Sequence, residues 1–160
     1  MAAKLFILFA LCISSMALVT AVRPLRHPFE LHGNVICDTC KCGFETLATT
    51  YIKDAKIKVE CRDRKTLELR FEVEATTNEK GAYVVTIAHD HYDDLCEAAL
   101  VSSPQENCAK PMLGRERSRV ILTNNNGIIS NTRFANNMAF VRDEPLAGCA
   151  QVLKLYEVDV

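Results

Sequence analysis

The stretch KIKVECRDRKTLELRFEVEA, residues 56–75, carries the clearest indication of the fold. Apolar and charged side chains alternate one by one over residues 56–62, and the alternation returns over residues 66–75. Because successive side chains of a β-strand point to opposite faces, this period of two predicts strands with one buried and one wet face. The stretch therefore predicts two strands of a sheet that is exposed on one side.

The sequence that follows predicts a turn and a return strand. Residues 78–81, NEKG, have turn chemistry, and AYVVTIAH, residues 82–89, continues as a strand, so residues 66–75 and 82–89 are predicted to form a hairpin. Residues 44–52 are predicted to be a short helical or irregular segment. Further strands are predicted at residues 31–37, 96–102, 118–123, 139–142 and 149–156. About seven short strands without long amphipathic helices predict an all-β domain, with antiparallel strands in a Greek-key-like barrel or sandwich.

The N-terminus has the pattern of a secretory signal peptide. One charged residue, Lys4, precedes an uncharged apolar run over residues 5–19, and small residues stand before a cleavage point after Ala21. An uncleaved anchor is the alternative, but Arg23 and Arg26 follow too soon for a full membrane span. We expect a signal peptide over residues 1–21, an extended arm over 22–30 and a single domain over 31–160.

The charge of the mature chain is nearly balanced. Without Lys4, eighteen Lys and Arg residues face twenty Asp and Glu residues, which is a formal charge near −2. Such a balance offers no electrostatic basis for binding nucleic acid or a membrane surface. We expect neither as a partner, and no insertion into a membrane.

Seven cysteines remain after the signal peptide, which takes Cys12 with it. In a secreted chain, widely spread cysteines are interpreted first as a disulfide framework, and six of them allow 15 pairings. Closing loops of tens of residues would stabilise the fold by roughly 3 to 4 kcal/mol per bridge on the chain-entropy model. One thiol is left over, either free or paired between chains.

The segment GNVICDTCK, residues 33–41, closely resembles the signature Gly-x-Val-x-Cys-Asp-Thr-Cys-Arg of the pollen Ole e I allergen and extensin-like family. The signature residues are Gly33, Val35, Cys37, Asp38, Thr39 and Cys40. The likeness continues in order through AKIKVECRD, TTNEKGAYVV, LVSSPQENC, RSRVILTNNNGI, RFANNMAF and EPLAGC. An ordered series with six matching cysteines is far more specific than one short motif.

The resemblance implies a secreted plant protein with a compact β fold and three disulfides. It implies the pairs Cys37–Cys108, Cys40–Cys149 and Cys61–Cys96. The chain departs from the family pattern in three places: Ile36 stands where Tyr is frequent, Lys41 where Arg is usual, and Cys42 is an additional thiol. Cys42 is therefore the candidate for an unpaired or interchain cysteine, and in the second case it would link two chains into a dimer. No Asn-x-Ser/Thr glycosylation sequon occurs in the chain.

Two chemical alternatives exist for the clustered cysteines. Cys37 and Cys40 have the spacing of a thioredoxin-like redox pair, but such a pair needs a helix N-terminus in a βαβ setting, which these β-rich surroundings do not offer. Cys37, Cys40 and Cys42 could bind zinc, with a residue such as His32 as fourth ligand, although oxidation of the thiols competes. Structural disulfides are the preferred interpretation.

The most polar cluster is AHDHYDD, residues 88–94. His89, Asp90, His91 and Asp93 could hold a metal ion or act as general acid and base. On an extended strand His89 and His91 would share one face, with Asp90 on the other, and nothing completes a ligand set. A solvated loop is the preferred interpretation, so His89 and His91 are weak metal candidates and we expect no cofactor.

The expected function is that of a non-enzymatic protein of the plant extracellular space or cell wall. The resemblance implies a binding or signalling module in pollen or growing tissue, and a potential allergen. Its expected partner is a cell-wall polymer or a receptor ectodomain. The alternative is a small secreted hydrolase or metal-dependent enzyme that uses the cluster from His89 to Asp94.

Overall fold

Residues 27 to 156 are described by the computed structural model of the chain. The predicted signal peptide lies outside the described residues, as does most of the arm predicted over residues 22–30. Phe29 and Glu30, which were included in that arm, are instead the first residues of a strand. They form part of it because they continue the inward and outward alternation of the residues that follow.

The described residues contain ten strands, one 3-10 helix and one short α-helix. The strands are β1 (Phe29–Asp38), β2 (Thr50–Tyr51), β3 (Lys56–Asp63), β4 (Leu69–Thr76), β5 (Ala82–Ile87), β6 (Asp94–Ser102), β7 (Lys110–Pro111), β8 (Arg117–Val120), β9 (Thr132–Phe134) and β10 (Met138–Val141). The 3-10 helix spans Glu106–Cys108, and α1 spans Cys149–Lys154. No helix among residues 27–156 has the length and apolar character needed to cross a bilayer.

Two sheets pack face to face as a sandwich, so the predicted all-β fold class is confirmed. One sheet has the strand order β4-β3-β6-β8, and all its pairings are antiparallel. The other is built around β1, which pairs with β5 and β9 along its first half and with β2 and β10 along its second half. The pairings of β1 with β9 and β10 are parallel. The ten-residue β1 is therefore the central strand of this sheet.

The core lies between the sheets and collects the inward residues of the alternating strands. Ile57 and Val59 of β3 are fully buried, and they face Leu31 and Val85 of the other sheet within one apolar cluster. The charged residues that alternate with them lie on the outer faces. The period of two that predicted these strands is thus the period that builds the core.

The predicted hairpin of residues 66–75 and 82–89 is wrong, although its strands and turn exist. β4 pairs with β3, whereas β5 pairs with β1 in the other sheet. The chain crosses between the sheets at the buried Thr77, whose hydroxyl donates to the Ile52 carbonyl at 2.6 Å and accepts from the Ala55 amide at 2.9 Å. These bonds join the connection between β4 and β5 to the one between β2 and β3, which also crosses between the sheets.

The strand predicted over residues 149–156 is also wrong, because residues Cys149–Lys154 form α1. Gly148, with φ of 92°, turns the chain immediately before this helix. The sequence AQVLKL that follows Cys149 is rich in good helix formers. Four of the other predicted strands fall on β1, β6, β8 and β10, and the predicted irregular segment over residues 44–52 ends in the two-residue β2.

Arg133 is a buried cation at the edge of the core. Its guanidinium donates to the carbonyls of Ile121 and Thr123, at 3.0 and 3.1 Å, and lies 4.9 Å from the ring centre of Phe29. Burial lowers the pKa of this guanidinium. The backbone carbonyls and the aromatic face compensate for the lost hydration, and they fix β9 against the segment that follows β8.

Candidate functional site

The six residues of the sequence signature are all buried in the sandwich. They are Gly33, Val35, Cys37, Asp38, Thr39 and Cys40. Val35 and Cys37 belong to the apolar core, while Asp38 and Thr39 are buried polar residues. A motif without an exposed member organises the structure rather than contacting a ligand.

Asp38 closes the turn that follows β1. Its carboxylate accepts hydrogen bonds from the backbone amides of Cys40, at 3.1 Å, and Gly43, at 2.8 Å. Lys41 and Gly43 both have positive φ, so the turn is tight. A carboxylate supplies two acceptor oxygens at once, which is why an acid stands at this buried position.

Thr39 holds the loop that leaves this turn. Its hydroxyl donates to the Ala48 carbonyl at 2.7 Å, and its own carbonyl accepts from the amide of Leu146 at 3.1 Å. One residue therefore links β1 to the loop of residues 44–49 and to the segment before α1. Asp38 and Thr39 together fix the loops at this end of the sandwich.

Gly33 is required by close contact with Tyr83, which lies directly opposite it on β5. A Cβ atom at Gly33 would lie 2.3 Å from the Tyr83 hydroxyl oxygen and 2.4 Å from its Cζ. The aromatic ring covers the glycine across the strand pair, an arrangement that stabilises glycine in sheets. Burial raises the pKa of Tyr83, and its hydroxyl has no hydrogen-bond partner among the described residues.

The structure joins the six family cysteines in three disulfides. The pairs are Cys37–Cys108, Cys40–Cys149 and Cys61–Cys96. The first two connect the end of β1 to the 3-10 helix and to α1, and the third joins directly opposed positions of β3 and β6. Two of the three bridges thus clamp the same end of the sandwich.

These bonds remove the chemical alternatives for the clustered cysteines. Cys37 and Cys40 are bonded to different partners, so they are not a redox pair, and neither offers zinc a thiolate. Among the described residues, Cys61, Cys96 and His91 come within 4.8 Å of one another as a geometric metal group. Because the two sulfurs form a disulfide, this group also lacks thiolates.

Cys42 is the free cysteine among the described residues, and it is half-buried. Its sulfur lies 3.2 Å from the Phe44 carbonyl oxygen and 3.6 Å from the Asp38 carboxylate. It lines an open groove of about 670 Å³ that also has Lys41, Lys110 and Arg115 in its walls. Cys42 is the member of the cysteine cluster that is available for chemistry.

The polar cluster of residues 88–94 does not assemble as an extended strand would predict. Residues 88–93 form a loop, as the preferred interpretation of the sequence has it, but of its two histidines only His89 is exposed, whereas His91 is buried. His91 Nδ1 lies 2.8 Å from the Asp94 carboxylate, and the His91 ring packs 5.1 Å from the ring of Phe71. The backbone amide of His91 donates to the Leu122 carbonyl at 2.8 Å, which joins this loop to the segment after β8.

The outer face of the four-stranded sheet is held together by charge pairs around Glu60. Glu60 is only 3% exposed, and it accepts from Lys58 at 2.8 Å and from Arg117 at 2.5 Å. These hydrogen bonds, first that of Lys58 and then that of Arg117, lower the pKa of Glu60 to about 2. The pairs span three strands and stabilise the sheet.

One surface feature was not found from the sequence: a polar cleft of about 440 Å³. Its walls include Glu45, Arg115, Asn136 and Asn137. Asn137 donates to Glu45 at 2.9 Å, although the two residues are 92 positions apart. The adjacent asparagines in RFANNMAF are the signal that could have drawn attention to the cleft.

Comparison with known proteins gives a consistent result. Residues 27–157 match the family model described as "Pollen protein Ole e 1 like". The chain is 41% identical to the Arabidopsis thaliana protein DOWNSTREAM OF FLC, over 98% of this chain and 96% of that protein. It is 37% identical to the anther-specific protein LAT52 of Solanum lycopersicum, over 96% and 94% of the two chains.

Further similarity is found to an allergen and to a solved structure. The pollen allergen Cro s 1 of Crocus sativus is 38% identical over 93% of this chain and 91% of its own. The crystal structure of the major plantain pollen allergen Pla l 1 superposes with a TM-score of 0.68, covering 76% of this chain and 99% of that chain. At 24% identity, the last comparison shows a shared fold.

Proposed function

The chain belongs to the Ole e 1-like family of pollen proteins, and we propose that it is a secreted, non-enzymatic binding module of the plant extracellular space or cell wall. Its site of action would be pollen or growing tissue, and its partner a wall polymer or a receptor ectodomain. Because relatives carry the names of pollen allergens, allergenicity is part of the same proposal.

The observation that carries this proposal is the burial of the whole signature. Its residues hold the turns and loops at one end of the sandwich, and two disulfides clamp that end. A frame of this kind presents exposed loops and faces in fixed positions, which lowers the entropic cost of binding. The chemistry of recognition then belongs to the exposed residues and not to the motif.

Binding is favoured over catalysis by the geometry of residues 88–94. A general acid and base must both reach one substrate, but His91 is buried against Asp94 while His89 points into solvent. The alternative of a hydrolase or metal-dependent enzyme that uses His89 to Asp94 has no assembled site to support it.

The test of the proposal is a pull-down with the secreted, disulfide-intact protein. Immobilised wall polysaccharide fractions and receptor ectodomains from pollen or growing tissue serve as bait, and the reduced and alkylated chain serves as control. Retention of the folded protein alone is the expected result. Failure of the folded protein to bind any bait would contradict the proposal.

Secretion is tested separately with a fluorescent reporter fused to the C-terminus. The full chain should deliver the reporter to the extracellular space, and a chain lacking residues 1–21 should retain it inside the cell. Equal retention of both chains would contradict the predicted signal peptide.

Cys42 adds a proposed route to a covalent dimer. Two Cys42 thiols from two chains would form one disulfide, with their protons and two electrons passing to a small disulfide oxidant of the extracellular space. Non-reducing gels should show a band of twice the mass that reducing agent removes, and Cys42→Ser should abolish it. A monomer under both conditions would reject the dimer.

A further inference from the structure

An exposed aromatic platform crosses the outer face of the sheet built on β1. Val84 of β5, His32 of β1 and Phe134 of β9 lie side by side in register. Phe134 is 76% exposed and Val84 is 54% exposed, and the rings of His32 and Phe134 are 5.7 Å apart. Three adjacent strands thus present an apolar surface to solvent.

The platform is held rigidly from below. Phe134 follows Arg133 in β9, and because strand side chains alternate, the inward Arg133 forces Phe134 outward. Arg133 is anchored to the carbonyls of Ile121 and Thr123, and the amide of Ala135 donates to His32 at 2.8 Å. The outward position of Phe134 is therefore set by bonds on both sides of it.

The polar cleft continues directly from this platform. Asn34 lies two residues beyond His32 on β1 and therefore on the same outer face. Its amide donates to Asn137 at 3.1 Å, and Asn137 donates to Glu45 at 2.9 Å, within the cleft of about 440 Å³. The volume lies in the usual range for small-ligand sites.

The cleft has polar groups free to bind a ligand and little uncompensated charge. The side-chain amide of Asn136 has no hydrogen-bond partner among residues 27–156. The guanidinium of Arg115 lies 3.7 Å from Glu45, and Arg117 is paired with Glu60 and Glu97. A charged ligand would find no matching excess of opposite charge, whereas hydroxyl groups would find both donors and acceptors.

We propose that the platform and the cleft together bind a neutral cell-wall polysaccharide. One sugar ring would lay its apolar face on Phe134, and the hydroxyls of the next would bond to Asn136, Glu45 and Arg115. A sugar chain is the partner whose rings combine an apolar face with a rim of hydroxyls, which matches an aromatic surface beside an amide-lined cleft. The inference rests on the proposed binding function and specifies its ligand class and site.

Affinity electrophoresis of the disulfide-intact protein tests the inference. The gels contain xyloglucan or galactan as neutral probes and homogalacturonan as the acidic probe. Phe134→Ala should weaken binding of a neutral probe by about tenfold and Asn136→Ala by about fivefold, as expected for central contacts. Tyr92→Ala removes an aromatic side chain that is 57% exposed in the loop of residues 88–93, outside the proposed site, and should leave binding unchanged.

The outcomes separate this inference from the broader proposal. Binding of a neutral probe that survives both substitutions would overturn the site. If the protein binds homogalacturonan or a receptor ectodomain but binds no neutral probe, the proposed ligand class is overturned and the broader binding function remains. Absence of any binding would overturn both. Melting temperatures of Phe134→Ala and Asn136→Ala that equal that of the wild type verify that these substitutions change ligand binding and not stability.

Discussion

Replacement of Gly33 by Ala should destabilise the sandwich through a single steric conflict. The new Cβ would lie 2.3 Å from the hydroxyl oxygen of Tyr83, far inside contact distance. The Tyr83 side chain is 2% exposed, so the ring can move aside only by displacing core neighbours. Overpacking of this kind costs about 2 to 3 kcal/mol, which corresponds to a fall in melting temperature of roughly 10 °C for a domain of this size.

Urea unfolding with the disulfides intact, followed by near-UV circular dichroism, measures this cost. The matched comparison is the same substitution in a Tyr83→Ala background, where the conflicting ring is absent. There Gly33→Ala should be neutral or stabilise by about 0.5 kcal/mol, because glycine is unfavourable within a strand. An equal cost in both backgrounds, or no cost in the wild-type chain, would refute the packing explanation.

Three further predictions test other parts of the structure. Glu60→Gln should lower the free energy of unfolding by about 3 kcal/mol at pH 7. The pKa of Glu60 is about 2 in the folded state against 4.5 normally, so the stabilisation by its ion pairs is complete above pH 4.5 and vanishes toward pH 2. Urea unfolding curves of the wild type and the variant should therefore converge at that pH. Asp38→Asn should lower the free energy of unfolding by about 2 kcal/mol, because one backbone amide loses its acceptor. The same substitution should speed thiol labelling of Cys42. An unchanged labelling rate would contradict the closed turn. In thermal melts, His91→Ala should lower stability by about 2 kcal/mol because it leaves a cavity. His89→Ala, at an exposed position, should change stability by no more than about 0.5 kcal/mol. Equal effects would contradict the different burial of the two histidines.

The strands were predictable from the sequence because their side chains alternate, but their partners were not always so. Residues 66–75 and 82–89 flank a good turn whether they pair with each other or cross between sheets. At the crossing, the hydroxyl of Thr77 bonds to residues more than twenty positions away, and such distant contacts leave no local signal. Residues 149–156 were misassigned because their short apolar pattern suits a strand as well as a helix.

The candidate sites, too, were predictable only where their residues lie close together in the sequence. The signature residues could be found in one window of sequence, yet only the structure reveals that all of them are buried. A loop was the preferred interpretation of residues 88–93, but nothing in the sequence indicated that His91 would be buried while His89 stays exposed. The adjacent asparagines could have drawn attention to one wall of the cleft, but the cleft joins Asn137 to Glu45 across 92 positions, so its assembly could not be predicted from a local pattern.

Chemical-shift mapping of the ¹⁵N-labelled, disulfide-intact protein with a neutral wall oligosaccharide tests whether the platform and the cleft form one sugar-binding site. We expect the perturbed amides to cluster on the platform and around the cleft, at residues 32–34, 45, 114–117 and 134–137. Perturbations confined to residues 88–94, or spectra that do not change at saturating oligosaccharide, would contradict this site.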